Sequence, residues 1–170
     1  MGTTSKYGLP YPNMGDAPNG PLGFQNLATA LDALGPIGGK RRAATGSGLT
    51  TIEAVVVDTQ TLAMPANYVF AIDFSLAFTS SVASTDVSMK IRLTSVSGTI
   101  VDQCVALGVY VAPTINYAFM RSVYKTTSAE LDYFCGTMVR TGTGTGTVTP
   151  VLPTSLIVTA LGPSTIIGDY

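Results

Sequence analysis

The chain has 170 residues, with 9 Lys and Arg against 10 Asp and Glu, and a net charge of −1. That length predicts one domain with at most an appendage, able to bury about two-thirds of its unfolded surface. Charged residues are only 11 %, against about 25 % in a typical soluble domain, so there is no basic footprint for nucleic acid, and no apolar run of about 18 residues crosses a membrane.

So little charge predicts that much of the surface is covered, by copies of the chain or by another protein. The opening MGTTSKYGLPYP lacks the apolar segment of a secretory leader. Lys6 stands where a myristoylation signal carries Ser or Thr, so neither signal is expected.

Residues 1–21 hold Pro10, Pro12, Pro18 and Pro21 with Gly8, Gly15 and Gly20. That density opposes regular structure and predicts an extended arm with turns. Tyr7, Leu9 and Tyr11 are interleaved with it, as in a peptide that lays aromatic side chains on a partner; the alternative is an arm folded back on its own domain. Asn19-Gly20-Pro21 then starts a helix, with Asn as N-cap and Pro in the first turn. Phe24, Leu27, Leu31 and Leu34 form one stripe, and Gly35-Pro36 ends it, giving a helix over about 21–34. The glycines from 35 to 48 read as a hinge. Within them Lys40-Arg41-Arg42, the densest charge run, reads as solvated linker. The domain division is therefore 1–48, an anchoring arm with helix and hinge, and 49–170, a β-sandwich.

Strands follow in quick succession. Thr51 to Asp58 is one. From Tyr68 to Thr79, Phe70, Ile72, Phe74, Leu76 and Phe78 fall on alternate positions, with small or polar residues between them. Successive strand side chains point to opposite faces, so this is one long strand with a large apolar face that must be buried. Val87, Met89, Ile91 and Leu93 alternate with Ser88, Lys90, Arg92 and Thr94 in a half-buried strand. Ile100 to Val111 places Val105, Leu107, Val109 and Val111 on one face. Tyr117 to Lys125 is next. Leu131 to Arg140 groups Leu131, Tyr133, Cys135 and Val139 on one face, and Ser155 to Leu161 is the last clear strand. TGTGTGT at 141–147 matches no phosphate-loop pattern and reads as a loop or a weak edge strand. Turn signals about ten residues apart, with no helical period between, predict a mainly β fold: an antiparallel sandwich of jelly-roll type.

Chemistry is hard to place. There is no histidine, which removes Ser-His-Asp and Cys-His sites and the usual metal ligands. Cys104 and Cys135 are isolated and expected as free buried thiols of a chain made in the cytoplasm; a disulfide between them is the alternative. The closest acids in the body are Glu130 and Asp132, which do not make the facing pair of a glycosidase. Asp73, alone in the long strand, is expected to pair across strands with Lys90 or Arg92. No enzyme, cofactor or metal site is expected.

YGLPYPNMGDAPNGPLGFQNLATALD at 7–32 resembles the opening of many small virion proteins of tailed phages, especially those of actinobacteria, which read roughly YGLPYP, a D-x-P turn and a LAxALD-like helix. LIVTALGPS at 156–164 resembles their closing strand, with Ala160 where an acid is common. The two segments cover about a fifth of the chain. The resemblance implies a virion structural protein of head decoration, head fibre or minor tail type. The reading that follows is a capsid decoration protein, a homotrimer fastened to the major capsid protein through Tyr7, Leu9, Tyr11, Phe24, Leu27 and Leu31. It would be made in the host cytoplasm and sit on the particle surface. Its alternatives are a minor tail or tail fibre protein with tail partners, or a carbohydrate-binding module for host attachment.

Overall fold

The computed structural model describes residues 2–3, 10–11, 35–83, 86–106, 110–111, 113–141 and 145–167. Among the described residues the strands are β1 (Gly2–Thr3), β2 (Pro10–Tyr11), β3 (Gly35–Arg41), β4 (Ala54–Asp58), β5 (Leu62–Met64), β6 (Tyr68–Ser80), β7 (Asp86–Leu93), β8 (Ile100–Ala106), β9 (Asn116–Lys125), β10 (Glu130–Asp132), β11 (Phe134–Thr141) and β12 (Val148–Pro163); a short helix, α1 (Ser164–Ile167), follows. Two four-stranded sheets run β3-β12-β6-β9 and β4-β11-β7-β8, and the short strands pair as β1-β2 and β10-β5.

The chain passes from one sheet to the other at every connection between the eight long strands except the β7–β8 hairpin. In chain order the first sheet therefore holds strands one, eight, three and six, and the second holds two, seven, four and five. That wrapping is a jelly roll, as the spacing of turns predicts.

β6 is the centre of it. Phe70, Ile72, Phe74, Leu76 and Phe78 are all fully buried, facing Val87, Met89, Ile91, Phe134 and Met138 of the other sheet. Burying each of the five stabilises the fold by about 1.5–3 kcal/mol of transfer free energy. Phe74 lies under Gly136 of β11, where an added Cβ would come within 2.7 Å of the ring. Buried threonines stitch the strand ends. Thr154 Oγ1 accepts from Ala77 N at 3.1 Å and donates to Val151 O at 2.8 Å, beside a register shift in β12. Thr126 Oγ1 accepts from Tyr68 N and donates to Pro65 O at the turn into β6.

Several expectations are corrected. The stretch from Gly35 to Gly48 is not simply a hinge, because Gly35–Arg41 is strand β3, bonded along β12 from Ala160 to Ser155. Its glycines serve close approach: a Cβ on Gly38 would meet Leu62 Cδ2 at 2.3 Å. Nor is Lys40-Arg41-Arg42 simple linker. Lys40 pairs with Asp58 at 2.7 Å, and Arg42 donates to the carbonyls of Ala44 and Val56. Leu131 to Arg140 is two strands, broken at Tyr133, whose N–H is held by Asp132 Oδ1 at 2.8 Å. Phe134, Gly136 and Met138 face the core there, while Leu131 is 76 % exposed. On β8 Val105 stands opposite Ser88 on the outer side and is exposed; Cys104 and Ala106 pack against the core. Leu107 and Val109, and the helix expected over about 21–34, lie outside the described residues.

Candidate interaction surfaces

A sandwich has two outer faces, and here they differ in chemistry. On the outward side of β4-β11-β7-β8, the Glu53 carboxylate is gripped by three neighbours. Arg92 donates Nε to Oε1 at 2.6 Å and Nη2 to Oε2 at 2.9 Å; Lys90 Nζ reaches Oε2 at 2.8 Å, and Thr137 Oγ1 reaches Oε1 at 2.5 Å. Arg92 also donates Nη1 to Gly98 O at 2.7 Å. Register brings them together: Thr137 stands opposite Lys90, and Arg92 lies one residue beyond Ile91 on the wet side of β7. Burial by itself would raise the Glu53 carboxyl. The hydrogen bonds from Arg92, Lys90 and Thr137 overcome that and hold it at about 2. Every oxygen of this carboxylate is occupied by the protein, so the cluster binds itself rather than a substrate.

On the outward side of β3-β12-β6-β9 lies the small-residue face of β6. Tyr117 of β9 stands opposite Ala77, Phe119 opposite Ser75, Arg121 opposite Asp73 and Val123 opposite Ala71. On the other flank Ile157 of β12 stands opposite Asp73. Between them the alanines are buried. The large side chains themselves are open: Tyr117 and Phe119 are each 64 % exposed, and Val123 and Ile157 are exposed as well. Asp73 is paired with Arg121 at 3.2 Å, not with Lys90 or Arg92, because β9 and not β7 is its neighbour in the sheet.

Of the residues expected to anchor the arm, Tyr11 is in β2, its backbone paired with Gly2. Tyr7, Leu9, Phe24, Leu27 and Leu31 lie outside the described residues. Tyr117, Phe119 and Val123 were not singled out by the sequence reading; the signal was there in a strand whose odd positions are large and whose even positions are Ala118, Met120 and Ser122. Glu130 is engaged by Tyr124, whose hydroxyl donates at 2.8 Å. Among the described residues no group of three or more acidic, Cys or His side chains gathers as metal ligands would. Cys104 and Cys135 are free thiols. Burial, with Asp58 and Asp132 nearby, pushes Cys135 up to about 11.

No family model matches this chain, and no curated protein matches it. Solved structures do match. The structure of the Gt strain of infectious bursal disease virus superposes with a TM-score of 0.51 and 16 % identity, over 95 % of this chain and 39 % of that one. T=1 particles derived from infectious bursal virus give 0.50 and 18 %, over 71 % and 30 %. A mutant VP2 protein of infectious bursal disease virus, in derived T=1 particles, gives the same values. This chain therefore spans between 30 % and 39 % of the length of these three chains. These are structures of a virus and of particles derived from it, and at such identity they show a shared fold. What this chain has in common with them is the antiparallel jelly-roll sandwich.

Proposed function

We propose that this chain is a structural protein of a viral particle, and within that class a capsid decoration protein. The observation that carries the reading is the jelly-roll wrapping of its eight long strands, shared with chains of virus particles. Three features support it. The YGLPYP…LATALD opening resembles that of tailed-phage virion proteins. The body commits its carboxylates to internal partners rather than to a reactive cleft. The chain as a whole carries little charge, as suits a protein that lives against others. In this reading the arm fastens to the capsid shell through Tyr7, Leu9, Tyr11, Phe24, Leu27 and Leu31. Tyr suits that task, because it carries much apolar area, a polar tip and few rotatable bonds. The sandwich projects outward, and copies associate as a trimer.

Particles lacking the native protein provide the test. The full chain should bind them at regular positions over the shell in an electron-microscopy map. A chain with Tyr7→Ser and Tyr11→Ser should bind at least about tenfold more weakly, a loss of about 1.4 kcal/mol or more, and melt at the same temperature. Density at the tail overturns the decoration reading. Undiminished binding by the doubly substituted chain overturns the arm as anchor.

A further inference from the structure

We propose that the free edge of β9 takes an extended, acid-bearing segment of another protein as an added strand. The inference stands on strand geometry and does not depend on the particle reading. Four strands end the two large sheets: β3 and β9 in one, β4 and β8 in the other. An edge strand offers unpaired N–H and C=O groups, and proteins blunt such edges with bulges, prolines or short length. Three of the four are blunted. β3 carries Pro36 and a register shift against β12. β4 is five residues long with a shift against β11, and β8 shifts against β7. β9 runs ten residues, Asn116–Lys125, against β6 without a shift and without a proline.

The groups on offer follow from the ladder. Thr126 N donates to Tyr68 O at 2.9 Å, one step beyond the Val69–Lys125 pair. Bonded and non-bonded pairs alternate in an antiparallel ladder, so Tyr124, Ser122, Met120, Ala118 and Asn116 bond to β6. Tyr117, Phe119, Arg121, Val123 and Lys125 therefore turn their N–H and C=O to the open side. Among the described residues no strand pairs with β9 there. The side chains of the same five residues are exposed on the outer face. A strand laid along 117–125 bonds to all five and sets its own alternate side chains beside theirs. Charge names the occupant. Register places Arg41, Arg121 and Lys125 on this outer face against Asp73 alone, so its field favours an anion. Carboxylates beside Arg121 and Lys125, with apolar side chains beside Phe119 and Val123, complete the row. A second copy fits poorly. Antiparallel pairing of β9 with itself over all five residues sets Arg121 of one copy opposite Arg121 of the other, and like charges directly opposite are destabilising.

Fluorescence anisotropy of the full chain with a labelled peptide, Glu-Thr-Val-Thr-Glu-Thr-Phe-Thr-Val, tests this. Its odd positions match the antiparallel row from Lys125 to Tyr117. This peptide should bind, and the same peptide with lysine in place of glutamate should bind at least about tenfold more weakly. N-methylation at the third, fifth and seventh positions, whose amides face β9, should weaken binding by at least about tenfold as well. N-methylation at the fourth and sixth, whose amides face away, should leave it unchanged. Val123→Pro removes an N–H from the open edge, where a strand tolerates proline. It should weaken binding to the same degree with an unchanged far-UV spectrum. If Val123→Pro does not fold, Arg121→Glu is read in its place. No binding of the acidic peptide, or binding indifferent to methylation of the amides that face β9, overturns the inference. So does tighter binding of an oligothymidylate or of heparin, which would make the face a site for anionic polymers. A chain that sediments as an oligomer when unmodified and as a monomer with Val123→Pro also overturns it, since a second copy would then occupy the edge.

Discussion

On one outer face of the sandwich a carboxylate, Glu53, is held by four hydrogen bonds from Arg92, Lys90 and Thr137; on the other, Tyr117 and Phe119 are left open to solvent beside a valley of small residues. Both faces belong to strands of the same period, and both back onto the same core. The difference lies in what each face leaves unfinished. The first has satisfied its charges internally, so covering it with another protein would desolvate ion pairs for little return. The second exposes apolar area that water disfavours and that a partner would bury favourably. Strand alternation lets one chain carry both surfaces, because the residues that look outward are chosen independently of those that build the core.

The most severe way to break the comparison is to strike the layer the two faces share. Phe74 is fully buried, with its ring against Gly136 of the opposite sheet. Phe74→Ala should cost about 3–5 kcal/mol in urea unfolding and destabilise both faces together. A loss under about 1 kcal/mol would mean that the two sheets do not pack through this ring.

Next in size is Glu53→Gln. Lys90 and Arg92 are 17 % and 12 % exposed at their side chains, so removing their carboxylate leaves two half-buried cations without a counter-charge. The expected cost is about 2–3 kcal/mol by chemical denaturation. A loss under about 0.5 kcal/mol would mean that the two cations do not depend on this carboxylate.

The core was largely legible in the sequence, and the outer face less so. β6 declares itself because five large apolar residues on alternate positions admit no helix. β3 does not, because GPIGGKR carries the letters of a flexible connector. Gly38 and Gly39 are there so that Leu62 and the Leu156 carbonyl can come close, and a composition rule cannot tell a glycine kept for close approach from one kept for freedom. Gly136 hid the core face of β11 in the same way, since the apolar alternation passes through it invisibly. β9 misleads differently: Tyr117 and Phe119 point to solvent while Ala118, Met120 and Ser122 point inward, against the rule that larger apolar side chains go inside. Only the register with β6 fixes that orientation. The partner of Asp73 likewise depends on strand order, which periodicity within a strand does not carry.

Acid is the gentlest way to separate the two faces. The Glu53 carboxyl sits at about 2 in the folded protein, against 4.5 for an ordinary glutamate. A folded value depressed below the unfolded one means that the folded state binds the proton more weakly. Glu53 therefore contributes its full stabilisation above pH 4.5, and that contribution falls away as the pH drops from about 4.5 to about 2. After allowance for solvent screening at a partly exposed site, the loss comes to about 1–2 kcal/mol. Other carboxylates titrate over the same range, so the measurement that isolates this one is a difference. Unfolding free energies of the unmodified chain and of Glu53→Gln, taken at steps from pH 6 to pH 2, should converge by that amount as the acid carboxylate of the unmodified chain is lost. Two curves that stay parallel through the window would show that the hydrogen bonds from Arg92, Lys90 and Thr137 do not hold Glu53 ionised, and the polar face would then lack the internal closure that sets it apart from the apolar one.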